Sequence, residues 1–379
     1  MNVLVLGCGL VGRPMALDLA NEKSFNVTVA DISKKNLDRI PTNLPITKLQ
    51  KNISNPNELT SLLKNCDIVL NAVPGFMGFN TLKEIIKAKK NVVDIAFFPE
   101  NPFELDELAK QNNVTAVVDC GVAPGMSNLL AGYVNSILDK IETVLIYVGG
   151  LPVVREFPYE YKAGFSPIDV IEEYTRPARY IENGKLVIRH ALSDPEFINF
   201  PEVGTLEAFN SDGLRTLADT LTAPNMKEKT LRYPGHIEKM RVLRESGFFS
   251  QDEIEVSGVK IKPVDFTSKL LFPMWELKEG DEEFTVMKII VEGEKDKKKI
   301  RYTYNLLDHH NKKTNIHSMA RTTGYTATTM VRLLAKGMFD QKGICPPEYI
   351  GQKPECVDFV LNGLKERGVI YHQVIEELK

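Results

Sequence analysis

The amino-acid sequence predicts an α/β fold: a doubly wound parallel sheet at the N-terminus and, after it, a second α+β domain built on a mixed or antiparallel sheet. Three observations carry that prediction. A glycine-rich turn stands between a buried strand and a helix at the start of the chain. Apolar runs without alternation then recur between helix-length segments as far as Asp119, as strands buried on both faces do. From about Glu142 the texture changes to longer runs, some of them alternating.

Val3-Leu4-Val5-Leu6 is an apolar run of strand length, followed by Gly7-Cys8-Gly9-Leu10-Val11-Gly12 and by helical spacing from Arg13 to Ala20. In that context G-x-G-x-x-G predicts the Rossmann dinucleotide cradle. The first glycine permits the tight turn, the second lets backbone approach a pyrophosphate, and the third lets helix and strand pack closely. The helix N-terminus supplies unpaired N–H groups and a positive dipole end for phosphates. A second apolar run, Val27-Thr28-Val29-Ala30, ends in Asp31. An acid about 20 residues beyond the glycines takes a ribose 2′-hydroxyl and repels a 2′-phosphate, so the expected cofactor is NAD rather than NADP.

The strand-helix alternation continues with a short helix at Leu59–Leu63, a strand at Asp67–Asn71, a helix from Thr81 to Lys89 and a strand at Asn91–Asp94. Asn101-Pro102 opens another helix, and Val114–Asp119 is a further strand. Right-handed crossovers make this one doubly wound sheet, whose ligands lie outside the carboxyl ends of its strands. That rule selects Asn71 to Pro74, Asp94 to Ala96 and Asp119 to Gly125. The expected cofactor contacts are therefore Gly7, Gly9, Leu10, Val11, Gly12, Asp31, Ile32, Ala72, Val73, Pro74, Ile95, Cys120 and Gly121.

Farther on, Thr143–Val148 is a strand, and Ser166-Pro167-Ile168-Asp169 has the serine, proline and acid of a helix start. Phe284–Val291 and Ile300–Leu306 alternate across the charged turn Glu292 to Lys299, predicting an antiparallel hairpin. Tyr325–Met338 and Val357–Lys379 return to helical spacing.

With 379 residues, 43% of them hydrophobic, the chain has material for two cores. A net charge of −3 gives no footprint for nucleic acid or anionic membrane. Five scattered cysteines without metal-site spacing read as reduced thiols and no metal centre, hence a cytoplasmic protein. Met1 leads straight into the first strand, so no signal peptide is expected, and no run is long enough for a membrane span.

A nicotinamide at the sheet edge requires a substrate pocket and a group to manage a proton, with a cleft between domains the expected place. Asp119 and the following Cys120-Gly121-Val122-Ala123-Pro124-Gly125 should border it. Three arginines could clamp a carboxylate: Arg155, Arg215 after the Asn-Ser-Asp-Gly turn, and Arg232, with Arg215 favoured. His190, His236 and Lys162 are the acid/base candidates. Cys120 reads as a small filler rather than a nucleophile.

The motifs Gly7 to Pro14, Val148-Gly149-Gly150-Leu151-Pro152, Tyr161-Lys162 followed by Phe165-Ser166-Pro167, Thr230-Leu231-Arg232-Tyr233, and Thr323-Gly324-Tyr325 to Gly337 resemble the saccharopine dehydrogenase and lysine 6-dehydrogenase family over nearly the whole chain. The resemblance implies a cofactor domain over 1–124, a substrate-binding and dimerisation domain over 125–322, and C-terminal helices over 323–379 that pack back on the first domain. It also implies oxidation of a carbon–nitrogen bond at the ε-position of lysine or a lysine derivative, in a homodimer. The chain carries Ala123-Pro124-Gly125 where saccharopine dehydrogenases usually carry Asp-Pro-Gly, which favours the lysine 6-dehydrogenase branch. The expectation is NAD-dependent deamination of L-lysine. Asp119, Lys162 and His236 would be its catalytic groups, and Arg215, Tyr161 and Asp94 its substrate contacts. The alternatives are a saccharopine or other secondary-amine dehydrogenase, and a non-catalytic NAD sensor.

Overall fold

The computed structural model describes residues 1–278 and 280–379. Two compact units emerge: Met1–Leu138 with Met319–Tyr371, and Asp139–Ser318 with His372–Lys379. The first contains β1 (Asn2–Leu6), β2 (Asn26–Asp31), β3 (Ile46–Gln50), β4 (Ile68–Asn71), β5 (Asn91–Asp94) and β6 (Thr115–Val117). All pair in parallel in the order β3-β2-β1-β4-β5-β6, and the strand Gly343–Cys345 extends the sheet beside β6. The order reverses between β1 and β4, the switch point at which such sheets bind ligands. β4 is buried at every residue, as its unbroken apolar run requires.

β3 was not expected. Ile46-Thr47-Lys48-Leu49-Gln50 lies at the sheet edge with only Ile46 buried, so it carries no apolar run for a reader of the sequence to find. Within this unit Asp18 ties the C-terminal helices to the helix Gly12–Ala20. It accepts from Arg332 Nη1 and Arg367 Nε, each at 2.7 Å. The core around Leu4, Leu6, Val69, Leu82, Ile85, Val92 and Phe98 excludes water, each such side chain contributing roughly 1.5–3 kcal/mol.

The second unit contains β7 (Lys140–Pro152), β8 (Ala178–Glu182), β9 (Lys185–Arg189), β10 (Glu196–Phe200), β11 (Gly204–Asn210), β12 (Asn225–Arg232), the small hairpin β13 (Ile254–Val256) and β14 (Val259–Ile261), and the long hairpin β15 (Glu283–Lys295) and β16 (Lys298–His309). Its main sheet runs β10-β11-β12-β7-β15-β16 and is mixed: β12 is parallel to β7, while β11, β15 and β16 pair antiparallel. The fold class read from the sequence therefore holds in both halves.

Two local expectations do not. The charged segment Glu292 to Lys299 is mostly strand, and the turn is only Asp296-Lys297, both left-handed (φ 51° and 64°), which matches the right-handed twist of a two-residue hairpin. Cross-strand pairing such as Arg301 Nε donating to Glu292 at 2.6 Å makes these charged positions good strand residues. The tail is not helical to its end. The helix Pro354–Glu366 stops before Gly368, whose φ of 76° closes it, and Tyr371–Leu378 is a strand on the β16 edge. There Gln373 Nε2 donates to the Tyr304 hydroxyl at 2.7 Å, and Lys298 meets Glu377 at 2.9 Å.

Candidate functional site

The carboxyl edge of the first sheet is shaped for a dinucleotide. A Cβ on Gly7 would stand 2.5 Å from the Ala72 carbonyl oxygen, and one on Gly12 would fall on the Gly7 carbonyl, so these two glycines let the turn, β4 and the helix Gly12–Ala20 close on one another. A Cβ on Gly9 would meet no protein atom, which leaves the backbone there open to an approaching phosphate. Asp31 is buried at the end of β2. Its Oδ2 accepts from the Cys8 N–H at 2.6 Å and its Oδ1 from the Ser33 N–H at 2.6 Å, so strand end and glycine turn are locked together around one carboxylate. Ile32 beside it is 64% exposed. These residues fit a dinucleotide.

Farther along the edge, Asn71 Nδ2 donates to Asp94 Oδ2 at 2.9 Å, and the Ala96 N–H donates to Asp94 Oδ1 at 2.7 Å. Asn71 Oδ1 is buried without a hydrogen-bond partner among the described residues. The Ile95 N–H donates to the Asn71 carbonyl and the Cys120 N–H to the Asp94 carbonyl, both at 3.0 Å, so Asn71, Asp94 and Asp119 hang on three adjacent strand ends. Asp119 is buried and left-handed (φ 50°), which turns the chain into the Gly121–Gly125 loop. The Cys120 thiol is pushed up by burial first and then by Asp94 and Asp119, so it stays protonated and cannot serve as a nucleophile. Leu10, Val11, Val73 and Pro74 line the same turns, with Val11 and Val73 buried.

The second unit sorts the remaining candidates. His236 is enclosed: its Nε2 is 3.0 Å from the Tyr174 hydroxyl, its Nδ1 is 2.8 Å from the Tyr159 carbonyl, and burial followed by the Arg232 charge lowers its pKa to about 3. A neutral imidazole with both nitrogens engaged is a structural group, and the acid/base role expected of it finds no support. Tyr161 belongs to the core beside it, its ring 5.6 Å from Trp275 and 4.4 Å under the Arg232 guanidinium. Arg232 is buried and fully used, donating to the Tyr174 hydroxyl at 3.2 Å, the Leu231 carbonyl at 2.9 Å and Glu173 at 2.5 Å. Burial opposes its charge, but Tyr174, Tyr161 and Glu173 outweigh that cost. Arg155 pairs with Glu160 at 2.6 Å and covers the Tyr233 ring, His190 is exposed, and the buried Lys162 pairs with Glu156 at 3.0 Å.

Arg215 stands at the end of a loop in the second unit. It is buried, left-handed (φ 51°), and ends the polar loop Asn210-Ser211-Asp212-Gly213-Leu214. Close to it lies Arg176, which the sequence reading missed; burial and then the Arg215 charge work against its own charge, with Glu172 and Asp212 opposing them. Arg176 itself pairs with Glu172 at 3.4 Å. Arg176 follows the helix Pro167–Thr175 directly and precedes a proline, a position where arginine reads as an ordinary helix-end cation. Tertiary contact alone reveals it.

Among the described residues no group of histidine, cysteine or acidic side chains could hold a metal ion, no helix is long and apolar enough to cross a membrane, and all five cysteines are free and buried.

The family model described as the saccharopine dehydrogenase NADP binding domain matches residues 3–117, and that of the saccharopine dehydrogenase C-terminal domain matches residues 121–369. A saccharopine dehydrogenase [NADP(+), L-glutamate-forming] of Pyricularia oryzae is 28% identical over 266 residues, 66% of this chain and 59% of its own. The mitochondrial alpha-aminoadipic semialdehyde synthase of Bos taurus is 26% identical over 271 residues, and the match spans only 29% of that longer protein. The carboxyaminopropylagmatine dehydrogenase of Synechocystis is 23% identical over 99% of this chain and 98% of its own. Among solved structures, apo saccharopine dehydrogenase (L-Glu forming) from Saccharomyces cerevisiae superposes with a TM-score of 0.79 over the full length of both chains at 20% identity, a likeness of fold.

Proposed function

Because this chain belongs to the saccharopine dehydrogenase family, we propose that it is an NAD-dependent dehydrogenase of a carbon–nitrogen bond, acting on the ε-amino group of L-lysine and releasing ammonia. The observation that carries the cofactor reading is Asp31, a buried carboxylate fixed by two backbone N–H groups beside the open Gly9 turn. A 2′-phosphate would meet that charge, whereas a 2′-hydroxyl can donate to it. When bound, the nicotinamide accepts a hydride from the carbon bearing the amine.

The chain's own residues supply the rest of the reading. Arg215, with Arg176 beside it, takes the substrate carboxylate. Among the acids of the first unit, Asp119 is the one that accepts a proton as the carbon–nitrogen double bond forms. Water then adds to that bond, the carbon–nitrogen bond breaks, and ammonia leaves an aldehyde that closes on the α-amine with loss of water to piperideine-6-carboxylate. Ala123, in place of the acid usual in saccharopine dehydrogenases, supports a substrate with one carboxylate arm. The buried, reduced thiols support a cytoplasmic setting, and a homodimer formed through the second unit completes the reading.

A secondary amine is the second reading, favoured by the Synechocystis relative, whose whole length matches this chain. One experiment separates them: purified protein with NAD or NADP and a panel of L-lysine, saccharopine, ornithine, carboxynorspermidine and carboxyaminopropylagmatine, followed by nicotinamide absorbance and product analysis. Ammonia from lysine supports deamination, and glutamate from saccharopine supports cleavage of a secondary amine. Absence of turnover across the panel removes both.

A further inference from the structure

We infer that Glu228 is a positioning residue for the loop that carries Arg215: its buried carboxyl group, rising from β12, is the post around which Ser211, Asp212 and Gly213 are wrapped. This rests on the reading that Arg215 binds the substrate carboxylate. Glu228 is 4% exposed. Its Oε2 accepts from the Ser211 hydroxyl at 2.7 Å and from the Gly213 N–H at 3.1 Å. The Ser211 hydroxyl is also 2.7 Å from Thr230 Oγ1, and Thr230 lies two residues along the same strand, hence on the same face. A Cβ on Gly213 would fall on the Glu228 carboxyl group, so the loop closes over the acid with no space left between them.

Such a post is needed because residues 211–216 form neither helix nor strand after β11 ends, and Arg215 occupies a left-handed backbone that a non-glycine residue holds only when its surroundings impose it. The opposite side of the loop is fixed by Arg179, whose Nε and Nη2 donate to Asp212 at 2.8 and 3.0 Å. Glu228 therefore holds one side and Arg179 the other, with Arg215 delivered at the end. The acids that face Glu228 are Glu173, which is paired with Arg232, and Asp212, which is paired with Arg179. No described cation pairs with Glu228 itself. Burial first, and these two acids with it, raise its pKa to about 8 against the opposing bonds from Ser211 and Gly213, so near neutral pH the post is a neutral carboxylic acid. Ionised, it would repel Asp212 and loosen the loop.

The test compares Glu228→Gln and Glu228→Ala with wild-type protein. The readouts are steady-state kinetics on whichever panel substrate is turned over, NADH titration, and hydrogen exchange of the amides of residues 211–216. Glu228→Ala should raise KM by roughly tenfold or more, the equivalent of one buried donor left unsatisfied, with kcat within about threefold, NADH affinity unchanged and loop amides exchanging faster. Glu228→Gln keeps an acceptor oxygen and should restore KM and protection; it should also abolish the rise in wild-type KM expected as pH passes about 8. Unchanged loop exchange in Glu228→Ala, or Glu228→Gln as impaired as Glu228→Ala, overturns the proposal. If wild-type protein turns over no substrate, the functional reading falls, and the exchange comparison still decides whether Glu228 holds the loop. Should Glu228→Ala fail to fold, the pH dependence of loop exchange in wild type against Glu228→Gln decides it.

Discussion

Asp31→Asn is the sharpest test of the cofactor reading, because it removes a charge while keeping the side chain's shape. In the wild-type protein the two Asp31 oxygens accept from Cys8 and Ser33, both at 2.6 Å. The asparagine can still accept through one oxygen, but its amide nitrogen faces a backbone donor. At about 4 Å, a carboxylate and each unit of phosphate charge repel by about 4 kcal/mol at an effective dielectric constant of about 20, before salt screening. Wild-type protein should therefore prefer NAD over NADP by roughly 100-fold or more. Removal of the charge should shrink that ratio to within about tenfold. NAD itself should bind roughly 10- to 100-fold more weakly, since a hydrogen bond to a charged group contributes about 1.5–3 kcal/mol. Fluorescence titration with NADH and NADPH measures all three quantities, and a parallel thermal melt separates lost binding from lost fold. Equal wild-type affinity for the two cofactors, or a ratio untouched by Asp31→Asn, would refute the reasoning.

The glycine turn gives a paired prediction. Gly12→Ala should cost about 1–3 kcal/mol of stability in urea unfolding, because its Cβ falls on the Gly7 carbonyl, whereas Gly9→Ala should fold normally and lose NADH affinity, because its Cβ enters only the space left for a phosphate. Arg232→Ala should destabilise by about 1.5–3 kcal/mol, since the half-buried Glu173 loses its charged partner, and the loss should show as a lower urea midpoint. Stability should also fall as pH rises from about 4.5 toward about 8 through Glu228: the unfolded chain releases that proton at the lower value and the folded chain retains it to the higher one. The slope approaches about 1.4 kcal/mol per pH unit as a ceiling, and because Glu228→Gln removes it, the wild-type minus mutant difference measured by melts should fall as pH rises across that window.

How much was legible before the structure depended on whether a signal was local. Strand, glycine turn, helix and Asp31 lie within the first 31 residues, and each part has a steric or electrostatic task that only certain residues perform, so the cradle could be read directly. β3 could not, because an edge strand needs no apolar run, nor could the terminal strand, whose Tyr371 to Leu378 gain their partner from β16. Histidine and tyrosine at 236 and 161 looked like site residues because sequence shows chemistry without burial. Packing against Trp275 and Arg232 made them core.

By itself, then, the sequence determined the fold class, the dinucleotide turn and the acid at the end of β2, all consequences of short-range sterics and periodicity. Only the tertiary structure decided that Arg232 is enclosed by Glu173 and Tyr174, that the charges of Arg176 and Arg215 oppose each other, and that a buried acid on β12 accepts from Ser211 and Gly213. Those facts depend on which distant residues share one low-dielectric interior, and charge and hydrogen-bond partners there are assigned by contact rather than by position along the chain.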